Sequence, residues 1–376
     1  MTTPRERYLE ALLFGRPEHV PLTPGGPRES TLTAWATQGL DRSVHFLDAL
    51  TAELGLPRTC FESTIGAAIS TRMIPTFEEK VLSHENGHYI VQDWMGAITE
   101  IADTFDYTYI RNAKDFVTRK WHRFPVQGPG DWEQVAWRYL AGTPERYPAD
   151  WLTTAAKLQN SGLAVVLSVN GPFWQMREWV GMEGLCLLMV DQPEFVTAMT
   201  TFWREFTLQV IEETLRHIKV DAIQLSEDMA YKAHSMISPS MARRFLLPTY
   251  QAWHELAHSY GCPIVDMDSD GEVSELIPLW IEAGINVSDP MEVAAGNDIV
   301  AARQRWGKRM AFKGGLDKRA LAVGGEVMRA ELERVVPPIL ASGGFIPSCD
   351  HGVPPDISWP AFVEYSRYLA QLTGWL

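Results

Sequence analysis

The chain has 376 residues, of which 46% are hydrophobic and 21% are charged; this is the composition of a globular protein with a large core. Its formal net charge of −14 argues against nucleic acid or an anionic membrane as a main partner, because both require a basic surface. Four widely spaced cysteines without CxxC spacing favour a reducing compartment. With no apolar run long enough to span a membrane, the expected location is the cytoplasm.

The N-terminal part of the sequence predicts a mixed extension over residues 1–120. A first helix is expected from Pro4 to about Phe14, and a short strand with a glycine-rich loop from His19 to Gly26. Asn86-Gly87 is a hairpin-turn signal, and apolar and polar residues alternate from His88 to Ile110. This pattern predicts a β-hairpin excursion.

After Asp150 the pattern becomes regular, with short apolar segments alternating with helical segments. Their apolar first halves show little strict alternation, which is typical of parallel strands buried on both faces. Six strands are expected, at 163–171, 222–228, 262–271, 284–290, 309–317 and 344–353. With two further strands near the N-terminus they predict one α/β domain over residues 1–376, a (β/α)₈ TIM barrel with an N-terminal helical and β-hairpin extension.

Each of these strands closes in polar residues. Examples are Asn170, the Ser226–Asp228 segment, Asp266 with Asp268, and His351. In a barrel the carboxyl ends of the strands meet at one mouth, where barrel enzymes place their chemistry. The sequence therefore predicts a shared active site for a small-molecule substrate, although a single acidic strand end is more often a helix cap.

Several segments resemble the uroporphyrinogen decarboxylase-like superfamily. They are the opening RERYLEALLFGRPEHVPL, the Gly-Pro-Phe helix start and D-x-P-E-F-V helix within 171–196, the acidic strand end with I-S-P and F-x-L-P-x-Y within 226–250, GGLDKRAL at 314–321 and CDHGVPPDISWPAFVEY at 349–365. The resemblance covers nearly the whole chain in the family order and implies a barrel enzyme, with a homodimer as a further expectation.

The resemblance implies two chemistries. Uroporphyrinogen decarboxylases use no cofactor and bind a substrate that carries eight carboxylates, with an arginine-rich segment after the first strand. The matching segment here, Pro24 to Thr31, contains a single arginine, Arg28. The related methylcobamide:coenzyme M methyltransferases activate a thiol with zinc held by an H-x-C pair and a later cysteine. The H-x-C position is here Asp266-Met267-Asp268, and His351 takes the place of the later cysteine. The thiolate-rich ligand set is therefore absent. Asp266, Asp268, His351 and Cys349 are still candidate ligands for a divalent metal, which is expected to be zinc or a harder ion.

Further roles follow from residue chemistry. Glu227, Asp228 and His351 are candidate general acids or bases. Candidate substrate-binding residues are Arg28, Asn170, Trp174, Arg177, Tyr231, Lys313 and Asp317. Ion pairing and helix capping are the structural alternatives for the charged members.

The leading functional hypothesis is a metal-assisted methyltransferase related to corrinoid-dependent methyl transfer, of the O-demethylase or methylcobamide type. Its methyl carrier would be a cobamide, free or on a corrinoid protein. A metal-independent decarboxylase of a tetrapyrrole or smaller carboxylic acid is an open alternative, and so is a non-catalytic corrinoid- or tetrapyrrole-binding protein.

Overall fold

The structure is a computed structural model that describes residues 2–104 and 119–376. The chain forms two compact units. The first unit comprises residues up to 67, 152–169 and 215–376, and the second comprises 68–151 and 170–214. The expectation of one domain over the whole chain stays a prediction.

The elements are numbered in chain order. The strands are β1 Thr64–Gly66, β2 Lys80–Glu85, β3 His88–Gln92, β4 Ile98–Ala102, β5 Arg119–Arg123, β6 Ala164–Asn170, β7 Ala222–Ser226, β8 Ile264–Asp268, β9 Val287–Asp289, β10 Ala311–Leu316 and β11 Phe345–Cys349. The helices are α1 Pro4–Leu12, α2 Glu29–Ala36, α3 Phe46–Leu54, α4 Glu133–Ala136, α5 Trp151–Gln159, α6 Pro172–Val180, α7 Met182–Asp191, α8 Pro193–His217, α9 Pro239–Phe245, α10 Leu247–Ser259, α11 Ile277–Glu282, α12 Ile299–Trp306, α13 Lys318–Val323, α14 Gly325–Ser342 and α15 Trp359–Leu372. Among the described residues, every helix is too short or too polar to cross a lipid bilayer.

The first unit contains a seven-stranded sheet in the order β1-β6-β7-β8-β9-β10-β11. Its strands pair in parallel from β7 to β11, and β1 pairs in parallel with β6. The six strands predicted after Asp150 are confirmed, with ends trimmed by one to several residues. β1 was not predicted, because three residues carry no readable periodicity. The segment 19–26, predicted as a strand, forms no ladder; the Leu22 amide donates to the Cys60 carbonyl (3.3 Å), and the Thr23 hydroxyl to the Pro347 carbonyl (3.3 Å).

The parallel sheet is curled, and residues from six of its seven strands share one core. The first inward residues of six strands pack together with α1; they are Ala164, Ala222, Ile264, Val287, Ala311 and Ile346. Tyr8, Ala11 and Leu12 of α1 join this cluster and close the amino-terminal end of the sheet. The fold is α/β and TIM-barrel-like, as predicted. The predicted N-terminal extension is not confirmed, because α1 is part of the core.

The start of α1 is fixed by local chemistry. The Thr3 side chain accepts a hydrogen bond from the Glu6 amide, and the Glu6 carboxylate accepts one from the Thr3 amide. This capping box, with proline at the first helical position, satisfies amides that would otherwise lack partners.

The second unit contains an antiparallel sheet in the order β2-β3-β4-β5. The predicted turn at Asn86-Gly87 is confirmed: both residues have positive φ, 53° and 77°, which suits a two-residue hairpin, and β2 pairs with β3 across them. The hairpin is part of a larger sheet than predicted, since β4 and β5 extend it. Residues 105–110 of the predicted segment lie outside the described residues.

Candidate active site

A cavity of about 370 Å³ lies inside the curled sheet of the first unit. Ligand sites commonly measure 300–1,000 Å³. Every strand of the sheet contributes to its wall, and Tyr8 of α1 also lines it. The polar lining residues are Tyr8, Thr23, Ser63, Thr64, Ser168, Gln224, Asp266, Asp289, Lys313 and Ser348.

Strand alternation explains why these side chains meet. Residues two apart on a strand share a face, so Gln224, Asp266 and Lys313 follow the apolar inward residues Ala222, Ile264 and Ala311. The second inward layer is therefore polar where the first is apolar. This places the cavity directly above the core cluster closed by α1.

Lys313 lies at the centre of the charged wall. Its ammonium nitrogen is 2.7 Å from Asp266 Oδ2 and 2.6 Å from Asp289 Oδ2. Burial alone would lower the pKa of Lys313, but the carboxylates of Asp266 and Asp289 outweigh it and raise that pKa well above its ordinary value. Lys313 is thus a permanent cation whose charge is already shared by two carboxylates.

Asp266 retains an unsatisfied oxygen. The residue is 1% exposed, and its Oδ1 has no hydrogen-bond partner among the described residues. Burial raises the pKa of Asp266, while the Lys313 ammonium opposes that rise. A buried acceptor without a donor costs about 1–3 kcal/mol, so this oxygen lowers the stability of the folded protein.

Asp268 lies one pleat further toward the carboxyl end of β8, and its backbone is in register with Asp289. The Ser226 hydroxyl donates to Asp268 Oδ2 at 3.4 Å. Desolvation, then the charges of Asp289, Asp266 and Asp228, raises the pKa of Asp268 to about 8. At neutral pH this carboxyl is therefore mostly protonated and can act as a general acid.

Glu227 faces away from the cavity, because it alternates with the inward-facing Ser226. It is fully buried and accepts a hydrogen bond from the Tyr250 hydroxyl of α10. The adjacent Asp228 has a φ of 43° and accepts a hydrogen bond from the Asp270 amide (3.3 Å). Glu227 and Asp228, both predicted as acid–base groups, thus have hydrogen-bond partners on different elements.

His351 forms a dyad with Asp270, whose Oδ2 is 2.8 Å from His351 Nε2. The hydrogen bond to Asp270 raises the pKa of His351. Its Nδ1 lies 2.7 Å from the Gly352 amide and 3.2 Å from Arg28 Nη2. Both are donors, so the neutral form protonated at Nε2 fits all three contacts. Neither His351 nor Arg28 belongs to the cavity wall.

Cys349 faces away from the cavity, alternating with the inward-facing Ser348 on β11. It is 3% exposed, and burial raises the pKa of its thiol to about 12. Gly25 approaches it closely: a Cβ on Gly25 would lie 3.1 Å from that of Cys349.

The predicted metal ligands are therefore not gathered into one site. Asp266 is committed to Lys313, Cys349 is on the opposite side of its strand, and His351 is bound to Asp270. Across residues 2–104 and 119–376, no three His, Cys, Asp or Glu side chains are grouped so as to hold a metal ion. As arranged, these four residues do not form a site for zinc or another divalent metal, and a bound metal stays a prediction.

Two other predicted ligand-binding residues of the first unit have local roles. Asp317 caps α13 through the Arg319 amide (2.9 Å) and pairs with the Arg319 guanidinium. Tyr231 is 52% exposed and does not line the cavity. For Asp317 the capping alternative is the one with observed contacts.

Asn170, Trp174 and Arg177 belong to the second unit. The Asn170 amide donates to Gln175 (3.2 Å), and the Trp174 indole donates to Glu178 (2.9 Å). The Arg177 guanidinium lies 4.8 Å from the centre of the Trp174 ring. Their assignment to substrate binding stays a prediction.

Sequence reasoning missed several cavity residues, notably Tyr8, Gln224 and Ser348. The polar strand ends directed attention to the ends of the strands, whereas the cavity wall begins one pleat earlier. Counting back two residues from Ser226 would have reached Gln224, because the period of a strand is two. No comparable signal existed for Tyr8, which reads as an ordinary apolar-face residue of α1.

The comparisons with known proteins agree with this architecture. The family model for uroporphyrinogen decarboxylase (URO-D) matches residues 145–363, more than half of the chain. The uroporphyrinogen decarboxylase of Methylococcus capsulatus is 35% identical over 79 residues, which are 21% of this chain and 23% of that protein. The chain thus matches about a quarter of that relative's length.

A solved structure, a methyltransferase from Methanosarcina mazei, is similar with a TM-score of 0.57. The match covers 99% of this chain and 98% of that one at 14% identity, a likeness that concerns the fold alone. The superfamily predicted from the sequence motifs is confirmed, and the chain belongs to the uroporphyrinogen decarboxylase (URO-D) family.

Proposed function

We propose that the chain is an enzyme that transfers a methyl group from a small methyl ether to an external nucleophile, with Asp268 as the general acid. The observation that carries the proposal is the raised pKa of Asp268, about 8. Asp268 ends β8 two residues beyond Asp266, and Asp266 lines a cavity sized for a small molecule. An ether oxygen is a poor leaving group unless it is protonated as the bond to carbon breaks. A carboxyl that keeps its proton at neutral pH supplies that need.

The step balances without a metal. The nucleophile's electron pair forms a bond to the methyl carbon, and the electrons of the carbon–oxygen bond pass to the ether oxygen. That oxygen takes the Asp268 proton and leaves as an alcohol, and Asp268 regains a proton from solvent. Ser226 positions the carboxyl through its hydrogen bond to Oδ2.

The methyl acceptor in this proposal is a reduced cobamide, free or carried by a corrinoid protein. A macrocycle is too large for the cavity and would have to meet the methyl group at the carboxyl ends of the strands. The proposal also includes the closed (β/α)₈ barrel. In that barrel the segment 19–26 takes the eighth position, supported by its contacts with Cys60 and Pro347.

A decarboxylase is less well supported, because its substrate carboxylate needs a free cation. Lys313 already contacts two carboxylates, and no arginine lines the described cavity. A further carboxylate would add negative charge to a wall that has an excess of it.

The test supplies purified protein with small methyl ethers and added cob(I)alamin, and follows methylcobalamin by its absorption. We expect methyl transfer that falls at least 100-fold in Asp268→Asn and stays unchanged in the exposed-surface control Glu326→Gln. Transfer that is equally fast in Asp268→Asn would contradict the role of Asp268. Release of CO₂ from small carboxylic acids, with no methyl transfer, would favour the decarboxylase instead.

A further inference from the structure

We infer that the ligand of this cavity is a neutral compound with several hydroxyl groups, a methoxylated polyol, whose hydroxyls bind to the uncharged side chains of the cavity wall. The inference rests on the proposed function only in taking this ligand to be the methyl donor. It names the part of the substrate that is bound, whereas the proposed function concerns the bond that breaks.

The polar groups of the cavity wall fall into two sets. The charged set, Asp266, Asp289 and Lys313, lies on the neighbouring strands β8, β9 and β10, and Lys313 contacts both carboxylates. The uncharged set lies mainly elsewhere, on α1 and on β1, β6, β7 and β11. Because the charged groups already contact one another, the uncharged set is the part of the wall that is available to a ligand.

Tyr8 is the most deeply buried member of the uncharged set. It is 4% exposed and lines the cavity, and its hydroxyl lies within electrostatic reach of Lys313, Asp266 and Asp289 on the same wall. That hydroxyl makes no hydrogen bond with another described residue, yet it is not sealed from the cavity. A buried tyrosine hydroxyl usually has a partner, so Tyr8 offers a donor and an acceptor to the ligand.

Three further uncharged groups, each on a different strand, are available in the same way. The hydroxyls of Thr64 on β1 and Ser348 on β11 line the cavity and make no hydrogen bond with another described residue. The side-chain carbonyl of Gln224 on β7 accepts a hydrogen bond from Ser168 (3.3 Å), which leaves the Gln224 NH₂ group as a donor for the ligand. One compact ligand needs several hydroxyls to meet groups that approach it from different strands.

The apolar part of the wall favours an aliphatic ring over a flat aromatic one. Ile65, Val166 and Ile346 supply aliphatic surface, and Tyr8 has the one aromatic ring among the described lining residues. A cyclic polyol has C–H surface for these side chains and hydroxyls for the polar ones. A ligand without hydroxyls would displace water from the polar groups and give them no partner in return, which is unfavourable.

A matched series tests the inference by calorimetric titration of the full chain with a monomethyl ether of inositol, methoxycyclohexane and 2-methoxyphenol. The first two share the carbon ring and the methyl ether and differ in the ring hydroxyls, whereas the third has an aromatic ring. We expect the inositol ether to bind at least about ten-fold more tightly than either of the others. Equal or tighter binding of methoxycyclohexane or 2-methoxyphenol would overturn the inference, and so would a lack of binding by the inositol ether.

Variants locate the groups that bind the hydroxyls. Tyr8→Phe and Ser348→Ala each remove one hydroxyl and should each weaken binding of the inositol ether about three- to ten-fold. Tyr368→Phe is the matched control, because the Tyr368 hydroxyl contacts Glu333 at an exposed position outside the cavity wall, and it should bind the inositol ether as the unchanged protein does.

Urea unfolding checks that these variants are folded. Because the Tyr8 hydroxyl has no partner among the described residues, Tyr8→Phe should unfold like the unchanged protein, and it carries the test alone if Ser348→Ala does not fold. Undiminished binding of the inositol ether by Tyr8→Phe would contradict the inference.

The same series separates the two proposals. Preference for the inositol ether without transfer of its methyl group to cob(I)alamin supports the inference and contradicts the proposed function. Methyl transfer from methoxycyclohexane or 2-methoxyphenol, with no preference for the inositol ether, does the reverse.

Discussion

Asp268 and Lys313 lie within the same curled sheet, and their surroundings drive their charges in opposite ways. Burial and three neighbouring carboxylates keep Asp268 protonated at neutral pH. Lys313 is equally enclosed, but the two carboxylates it contacts keep it charged. Two groups with pKa values displaced by their surroundings are typical of an active site, although structural ion pairs produce similar displacements.

The Asp268 carboxyl should make the protein less stable as the pH rises. Its pKa is about 3.8 in the unfolded chain and about 8 in the folded protein, so unfolding releases a proton between these values. The stabilisation that this carboxyl contributes is lost as the pH rises from about 4 to 8, at no more than about 1.4 kcal/mol per pH unit. Asp268→Asn should therefore raise the Tm at pH 7.5, and the gain should vanish near pH 4.

Thermal unfolding of both proteins from pH 4 to 8 measures this difference. A constant difference in Tm over the whole range would mean that the Asp268 carboxyl is ionised in the folded protein. That result would remove the general acid from the proposed mechanism.

Removing the Lys313 charge should destabilise the protein. Lys313→Met leaves the buried Asp266 and the partly buried Asp289 without their cation, a loss of about 3–5 kcal/mol by analogy with other broken buried ion pairs. Lys157→Met, at an exposed position of α5, is the matched control and should change the free energy of unfolding by less than about 0.5 kcal/mol. Urea unfolding at pH 7 measures both, and similar small changes would show that the Asp266 and Asp289 charges do not depend on Lys313.

Individual site residues were only partly predictable from the sequence. Lys313, Asp266 and Asp268 could be identified because they follow apolar strand segments. The directions of Glu227 and Cys349 could not, because a strand end gives no register, and a shift of one residue reverses which face a side chain takes. Partners such as Tyr250 lie on another element altogether, which no local pattern reveals.

At the scale of elements, the sequence predicted the parallel strands better than their closure. Long apolar runs identify β6, β7, β8, β10 and β11, since such strands are buried on both faces. β1 has only three residues and is recognised by its pairing with β6, not by its composition. The first helix was predicted, but its place in the core was not, because an amphipathic pattern does not say what the apolar face contacts.

The packing of α1 beneath the cavity gives a test of its role in the core. Leu12 is 2% exposed and its neighbour Leu13 is 45% exposed. Leu12→Ala should lower the free energy of unfolding by about 2–5 kcal/mol through lost contacts and the cavity that remains. Leu13→Ala should cost less than about 1 kcal/mol, because its side chain is already in water.

Urea unfolding at pH 7 compares the two variants. Equal effects would show that α1 does not close the sheet as described. Because Tyr8 on the same helix lines the cavity, Leu12→Ala should also weaken ligand binding, whereas Leu13→Ala should not.

At the scale of the whole molecule, charge and cavity size act together on substrate choice. The formal charge of −14 repels polyanions over distances set by the ionic strength. The composition alone predicted this field, and it pointed away from a substrate with eight carboxylates. What composition could not supply is the local wall of Asp266, Asp289 and Lys313, which arises only when distant strands curl around one space.

A porphyrin with eight carboxylates should therefore not bind in the cavity. Both its charge and its size oppose entry, because the space measures about 370 Å³ and its lining cation Lys313 already contacts two carboxylates. Titrating the octaacid and its octamethyl ester, and following tryptophan fluorescence, separates the two causes. If charge alone excluded the macrocycle, the ester would bind. Because size also excludes it, we expect neither compound to quench the fluorescence in a saturable way.

Saturable binding of the octaacid that is lost in Arg28→Ala would show instead that Arg28 binds a polycarboxylate. The chain would then resemble its Methylococcus capsulatus relative in ligand as well as in sequence.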